Sequence, residues 1–124
     1  MNDNTQMLIA AIADVNIYSN ANHGFMVSMK IVQDGHVFKF GGDAIFSGFG
    51  SVESPQFFLH FITRCMQVFE TQKLNDILGA VIRIQVSDLQ VVGIASLLGS
   101  DWFFPTLEFE KMRISLNNKH NPGL

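Results

Sequence analysis

The stretch Gly24–Gly42, GFMVSMKIVQDGHVFKFGG, decides the fold because it contains a complete β-hairpin. Apolar residues alternate with other residues on both sides of Asp34-Gly35, which is typical of strands with one buried face. Asp-Gly indicates a two-residue type I′ turn, since both turn positions need a positive φ. Such a turn places Gln33 opposite His36, and the apolar face then continues across the hairpin.

The same register places Lys30 directly opposite Lys39 on the other face of the hairpin. Facing like charges destabilise a sheet, although salt screens the repulsion between exposed side chains. The pair therefore has two interpretations. Either the lysines splay apart into water, or they hold an anion or the carboxylate of a partner between them.

A first strand is predicted before the hairpin, from about Leu8 to Ile17. Simple alternation assigns five apolar side chains to one face of this strand: Ile9, Ala11, Ala13, Val15 and Ile17. The polar segment Ser19–Gly24 connects the strand to the hairpin.

A long helix is predicted after the hairpin, with Ser54 as its N-cap and Pro55 in its first turn. Apolar side chains recur at helical spacing along it: Phe57, Phe61, Cys65 and Phe69, broadened by Phe58, Ile62 and Met66. Because Cys65 lies within this stripe, we expect a buried apolar thiol and not a nucleophile.

The rest of the chain predicts two more strands, Val81–Val86 with Arg83 pointing outward and Leu89–Leu98, and a short helix from Pro105 to Met112. The expected fold class is α+β: a mostly antiparallel β-sheet with one long helix packed across it and a small C-terminal helix. A length of 124 residues fits a single domain, 1–124, with an ordered core over about residues 7–115.

The amino-acid composition limits the kinds of partner that the protein is expected to bind. Charged residues are only 15% of the chain, whereas a typical domain has about 25%. Apolar surface is therefore expected to be shared with further copies, in a homo-oligomer. The net charge of −3 gives no field that attracts long nucleic acid. With one cysteine and no recognisable signal peptide or membrane span, we expect a cytoplasmic protein without an internal disulfide.

The sequence carries no established catalytic signature such as His-Glu-x-x-His, Cys-x-x-Cys or a Walker A motif. Gly48-x-Gly50 precedes a helix and is interpreted either as a simple loop or as a phosphate-binding turn. No histidine has metal-ligand spacing with another. We therefore expect a protein that is not an enzyme and has no cofactor and no metal.

The residue types suit the binding of a flat anion. Aromatic faces stack on purine rings, and arginine binds phosphate through two parallel hydrogen bonds. Trp102, Arg64 and Arg83 supply these groups, and Asp101 is suited to accept a hydrogen bond from a base or a ribose. Each of these groups also has an interpretation without a ligand. The segment 102–104 could belong to the core or to an oligomer contact, the arginines could be solvated surface residues, and Asn75 could cap a helix.

Several short motifs occur in one order over about residues 8–110: His23-Gly24, Phe40-Gly41-Gly42, Leu78-Gly79-x-x-Ile82-Arg83, Gly93-Ile94 and Asp101-Trp102-Phe103-x-Pro105. This ordered set resembles the phage-encoded Thoeris anti-defence family of type one. The resemblance implies small homo-oligomeric proteins that sequester cyclic ADP-ribose-type signals, made by bacterial Toll/interleukin-receptor-domain proteins, without degrading them. It also implies pockets where protomers meet, and in some members separate pockets for cyclic oligonucleotides.

On the resemblance, Arg83 and Trp102 are expected to contact the ligand or support its pocket, and the glycine pair 41–42 to let backbone approach closely. The full candidate ligand-binding set is Phe40, Gly41, Gly42, Phe57, Arg64, Asn75, Arg83, Asp101 and Trp102. The expected function is a sponge that acts in the host cytoplasm during phage infection and blocks activation of Thoeris or CBASS effectors. The expected assembly is a dimer or a trimer of dimers. The alternative is a phage inhibitor or structural module that blocks a host enzyme by direct contact.

Overall fold

A computed structural model describes residues 5–20, 24–46 and 54–120. Within these residues the strands are β1 (Gln6–Asn20), β2 (Gly24–Gln33), β3 (His36–Gly41), β4 (Val81–Ser87), β5 (Gln90–Ser96) and β6 (Trp102–Phe103). The helices are α1 (Asp43–Phe46), α2 (Ser54–Val68) and α3 (Pro105–His120), with a 3-10 turn at Leu74–Ile77. The Gly48-x-Gly50 motif and His23 lie outside the described residues.

The described strands form one sheet in the order β3-β2-β1-β4-β5-β6, and neighbouring strands are antiparallel throughout. The predicted α+β class with an antiparallel sheet is therefore confirmed. Among the described helices, none combines the length and the apolar character that a bilayer crossing requires.

The β2–β3 hairpin has the predicted register. Asp34 and Gly35 both have a positive φ, 47° and 80°, as a type I′ turn requires. Gln33 pairs with His36, and Lys30 pairs with Lys39. The Asp34-Gly35 turn was therefore sufficient to predict the register between β2 and β3.

Strand β1 contains a bulge that simple alternation does not predict. Its register with β2 shifts between Ile12 and Asp14, so one extra residue interrupts the alternation. Before the bulge Ala10 and Ile12 are buried, whereas Ile9 is 59% exposed. The predicted common face from Ile9 to Ile17 is therefore wrong, and Val15 packs on the core beyond the bulge.

The core lies on the concave face of the sheet and is dominated by phenylalanine. Phe61 of α2 is fully buried, and its ring centroid lies 5.3 Å from that of Phe40, 5.5 Å from Phe46 and 5.1 Å from Phe103. Burial of each such ring contributes about 2–3 kcal/mol. Phe40 and Phe103 belong to strands at opposite ends of the strand order, yet their centroids are 6.1 Å apart. The sheet therefore curls tightly around this cluster.

Three elements differ in extent from the sequence expectation. Strand β1 is longer at both ends than Leu8–Ile17, and strand β5 ends at Ser96 instead of Leu98. The C-terminal helix continues past Met112 to His120, because no proline or glycine interrupts residues 106–120. Its buried Phe109 packs on Phe57 of α2 at a centroid distance of 4.8 Å. Strand β5 begins only at Gln90, since Leu89 lies in the preceding turn with a φ of 67°.

We predict that Cys65 is inert in the folded protein. The side chain is fully buried, and burial raises the pKa of the thiol, so both access and the reactive thiolate are suppressed. An aromatic disulfide reagent should label the native protein at least about 100-fold more slowly than the protein in denaturant. Native labelling at the rate of a free thiol would contradict the described packing of α2.

Candidate functional site

The segment 102–104 divides between the two faces of the sheet. Phe103 points into the core and is fully buried. Trp102 and Phe104 are only partly buried, and strand geometry places both on the opposite, outer face. Only Phe103 of this segment therefore belongs to the core. The rings of Trp102 and Phe104 remain on the surface.

Trp102 belongs to a row of cross-strand neighbours on the outer face. Trp102 pairs with Ala95, Ala95 pairs with Arg83, and Arg83 pairs with Ile9. We call these four residues the outer-face row. Because directly paired residues share one face of a sheet, the sequence-predicted Arg83 and Trp102 are brought together.

Arg83 is held in place without being neutralised. Its Nε donates to the carbonyl of Ser96 at 3.0 Å, and its Nη2 donates to the carbonyl of Gly99. The guanidinium carbon lies 5.1 Å from the ring centroid of Trp102, in cation–π geometry. No carboxylate of the described residues forms an ion pair with Arg83. The guanidinium therefore keeps its positive charge beside a partly exposed aromatic ring.

Gly93 makes room for the second ring on this face. The rings of Trp102 and Phe104 lie 5.7 Å apart at an interplanar angle of 17°. A Cβ atom at position 93 would overlap the Phe104 ring. Close approach of another group is a common reason for glycine within a strand. The glycine therefore allows Phe104 to lie flat on the sheet and extend the aromatic surface.

Apolar side chains surround the outer-face row. Residues of β1, β4 and the segment after β5 are exposed: Met7, Ile9, Val81, Leu97 and Leu98. A cluster of exposed large apolar residues on a sheet face marks a surface that contacts a ligand or another protein. The outer face thus combines ring stacking, apolar contact and one positive charge.

Arg64, by contrast, is saturated by partners within the protein. Its Nη1 and Nη2 bind the two carboxylate oxygens of Asp101 at 3.0 and 2.8 Å, and its Nε lies 3.0 Å from Glu108 Oε1. Nη2 also donates to the backbone carbonyl of Trp102 at 3.0 Å. The same Glu108 oxygen lies 2.7 Å from Nε2 of His60. Arg64 therefore ties α2 to α3 and to the strand that carries Trp102.

The electrostatics match this supporting role. The hydrogen bond from Arg64 holds the pKa of Asp101 below its usual range. The hydrogen bonds and charges of Asp101 and Glu108 raise the pKa of Arg64 further above its ordinary value. Arg64 and Asp101, both predicted to contact a ligand, thus contact each other and position Trp102.

The other predicted site residues lie elsewhere. Phe40 and Phe57 are fully buried in the core and present no surface to a ligand in this structure. Gly41 and Gly42 have a φ of 94° and 67°, which favours glycine. The Gly42 N–H donates to the carbonyl of Val27 at 2.7 Å. The backbone that approaches this glycine pair is therefore the protein's own β2.

Asn75 lies on the exposed 3-10 turn between α2 and β4, outside the outer-face row. The residue before this turn, Lys73, makes no side-chain cap, and the carbonyl of Asn75 accepts the N–H of Leu78. The candidate ligand-binding set did not include Phe104, Gly93 or Ile9, although Phe104 and Gly93 lie in the sequence motifs considered for it. The spacing of Phe104 two residues from Trp102 was a usable signal, whereas exposure of Ile9 depends on the bulge in β1.

The chain matches none of the protein-family models, curated proteins and solved structures with which it was compared. Within the described residues, no group of three or more His, Cys, Asp or Glu side chains is arranged to hold a metal ion.

We predict that Arg64→Ala lowers the free energy of unfolding by about 2 kcal/mol, because Glu108 and the Trp102 carbonyl lose a charged donor. Arg113→Ala is the matched control, since the Arg113–Glu110 pair is over 40% exposed at both side chains and such pairs contribute under about 1 kcal/mol. Urea denaturation measures both. Equal losses would show that the Arg64 network is not structural.

The pH dependence of stability gives a second readout for the same pair of variants. The pKa of Asp101 is depressed in the folded state, so its contribution is present above the unfolded value of about 3.9 and is lost as pH falls through the folded value. Below about pH 4 the difference in stability between the wild type and Arg64→Ala should therefore narrow by the contribution of Asp101, while the contribution of the Trp102 carbonyl remains.

We predict that Gly93→Ala destabilises the protein by about 1–3 kcal/mol, because the new methyl group displaces the Phe104 ring. In a Phe104→Ala background the same change should cost at least about 1 kcal/mol less. A double-mutant cycle of thermal or urea unfolding measures this coupling. Additive effects would show that Phe104 does not cover Gly93.

Proposed function

We propose that the protein is a binding protein that captures a small anionic ligand with a flat ring on its outer face and does not convert it. The observation that carries this proposal is the partly exposed, unneutralised Arg83 stacked beside Trp102. Base–aromatic stacking contributes about 1–3 kcal/mol per base. Arginine adds charge-assisted hydrogen bonds to phosphate, and both groups lie on strands that hold them in fixed positions.

Within this proposal the ligand is a cyclic ADP-ribose isomer or a related cyclic nucleotide signal, as the resemblance to the Thoeris anti-defence family implies. A cyclic nucleotide joins purine rings to phosphates, so it matches the ring and the charge of the outer face. The biological role would be that of a phage sponge in the host cytoplasm, which lowers free signal below the level that activates Thoeris or CBASS effectors. Stoichiometric capture of this kind needs high affinity and slow release.

The proposed assembly is a homo-oligomer in which protomers meet at the outer face. The support is the exposed apolar cluster, in which Met7 and Ile9 are each 59% exposed. A pocket between two such faces would place a ligand between aromatic and apolar walls, and would remove more of its surface from water than one open face does.

Calorimetric titration against cyclic ADP-ribose isomers and cyclic oligonucleotides tests the proposed function. Wild type should bind at least one of them, and Trp102→Ala should weaken that binding at least about 10-fold through lost stacking. Phe25→Ala is the matched control, because Phe25 is a partly exposed ring on β2 that contacts Phe58 instead of the outer-face row.

The bound ligand is then released by heat and its mass is measured. Recovery of intact ligand supports capture, and recovery of a cleaved product would identify an enzyme instead. Absence of binding to every signal in the panel would overturn the proposed function.

The same apolar cluster favours a second candidate, an inhibitor that blocks a host enzyme by direct contact. That candidate predicts a stable heterologous complex that Leu97→Lys disrupts, since Leu97 is exposed next to the outer-face row. It also predicts no nucleotide binding, so the titration separates the two candidates.

A further inference from the structure

We propose a second anion site on the opposite half of the sheet, where Lys30 and Lys39 hold a phosphate group between them. An open hollow of about 290 Å³ lies there, and its lining comes from β1, β2 and β3: Asn16, Ser28, Met29, Lys30, Val37 and Lys39. We call it the lysine hollow. It shares no residue with the outer-face row, so it is independent of the proposed function.

The hairpin register holds the two lysines together. Lys30 and Lys39 are direct cross-strand partners, and directly opposite residues in an antiparallel pair have Cβ atoms about 4.5–5.5 Å apart. Strand β2 is hydrogen-bonded to β1 on one side and to β3 on the other. The pair is therefore fixed by the sheet and cannot separate by a shift in register.

The lysines of the hollow have no bound counter-charge among the described residues. Neither lysine forms an ion pair with a carboxylate of the described residues. Asp14 is the cross-strand partner of Lys30 on β1. Its carboxylate instead accepts hydrogen bonds from the N–H of Val15 at 3.0 Å and the amide of Asn16 at 3.4 Å. Both lysines thus line one hollow, and no described carboxylate is paired with either of them.

Ser28 supplies a hydroxyl group to the lining of the hollow, and the Tyr18 hydroxyl lies nearby. Ser28 is only 8% exposed, and it lines the hollow together with the two lysines. A methyl group added at Gly42 would lie 2.8 Å from Tyr18 Oη, 3.2 Å from Lys39 Cε and 3.4 Å from Ser28 Cβ. Glycine at position 42 therefore lets the Tyr18 hydroxyl and the Lys39 side chain approach the backbone closely beside Ser28.

This set of groups selects the chemical class of the ligand. The lysine ammonium groups supply charge and donors, and the Ser28 hydroxyl supplies a further donor, which together suit the oxygens of a phosphate. A water occupies about 30 Å³ in the liquid. A hollow of about 290 Å³ therefore has room for a diphosphate group, while its open side lets the rest of a larger ligand extend into solvent.

Calorimetric titration with pyrophosphate, at a chloride concentration that keeps ionic strength constant, tests the proposal. Wild type should bind pyrophosphate, and the double variant Lys30→Gln/Lys39→Gln should bind at least about 10-fold more weakly because both charges are lost. The double variant Lys73→Gln/Lys111→Gln removes the same charge from exposed positions on other elements and should bind like wild type.

Thermal unfolding shows whether the double variant has lost the phosphate site or has failed to fold. Without pyrophosphate, Lys30→Gln/Lys39→Gln should be at least as stable as wild type, because a repulsion has been removed. Pyrophosphate should raise the midpoint of wild type and leave this variant unchanged. The proposal is overturned if wild type does not bind, or if the variant binds equally well.

Two further experiments distinguish the lysine hollow from the outer-face row. ADP should compete with pyrophosphate and adenosine should not, since the hollow recognises phosphate and not the ring. Trp102→Ala should bind pyrophosphate as wild type does, even where it has lost a nucleotide signal. Loss of pyrophosphate binding in Trp102→Ala would overturn the separate site, whereas absence of nucleotide binding alone would overturn only the proposed function.

Discussion

The register of the antiparallel sheet is the constraint on which both candidate sites depend. A strand sends successive side chains to opposite faces, so a shift of one residue would move Trp102 into the core and Phe103 to the surface. In the native register Ile94 pairs with the buried Phe103, and Ala95 pairs with Trp102. The same rule, applied through the type I′ turn, places Lys30 beside Lys39. Burial of the phenylalanine cluster on the concave face thus determines which polar and aromatic groups remain on the outer one.

Arg64 and Arg83 were both predicted from the sequence to bind a ligand, but their hydrogen-bond partners give them different roles. Arg64 meets two carboxylates, and its side chain is only 15% exposed, so a ligand would have to displace Asp101 or Glu108 to reach it. Among the described residues, Arg83 binds backbone carbonyls and Trp102, and its hydrogen bonds fix the guanidinium without cancelling its charge. Arg64 therefore contributes to a site by holding β6 in place, whereas Arg83 contributes by its charge.

Local chemistry made part of this structure predictable from sequence. The Asp34-Gly35 turn specifies its own φ angles, so the β2–β3 register followed directly. The bulge in β1 and the turn residue Leu89, with its φ of 67°, carry no comparable local signal. Bulky residues rarely adopt a positive φ, so the alternating pattern wrongly predicted that β5 begins at Leu89. The partners of Arg64 lie 37 and 44 residues away along the chain, which periodicity cannot reveal.

An open sheet face is a poor place to retain a small molecule for long. Ligand sites usually bury about 70–90% of a ligand's surface, whereas a flat face covers only one side of a ring. The outer-face row projects from paired strands, so a second surface is needed to enclose a ligand against Trp102. Under the proposed function this second surface belongs to a second copy, in contact through Ile9 and its exposed apolar neighbours. Capture and assembly would then be linked equilibria: ligand stabilises the oligomer, and dilution of the protein accelerates release.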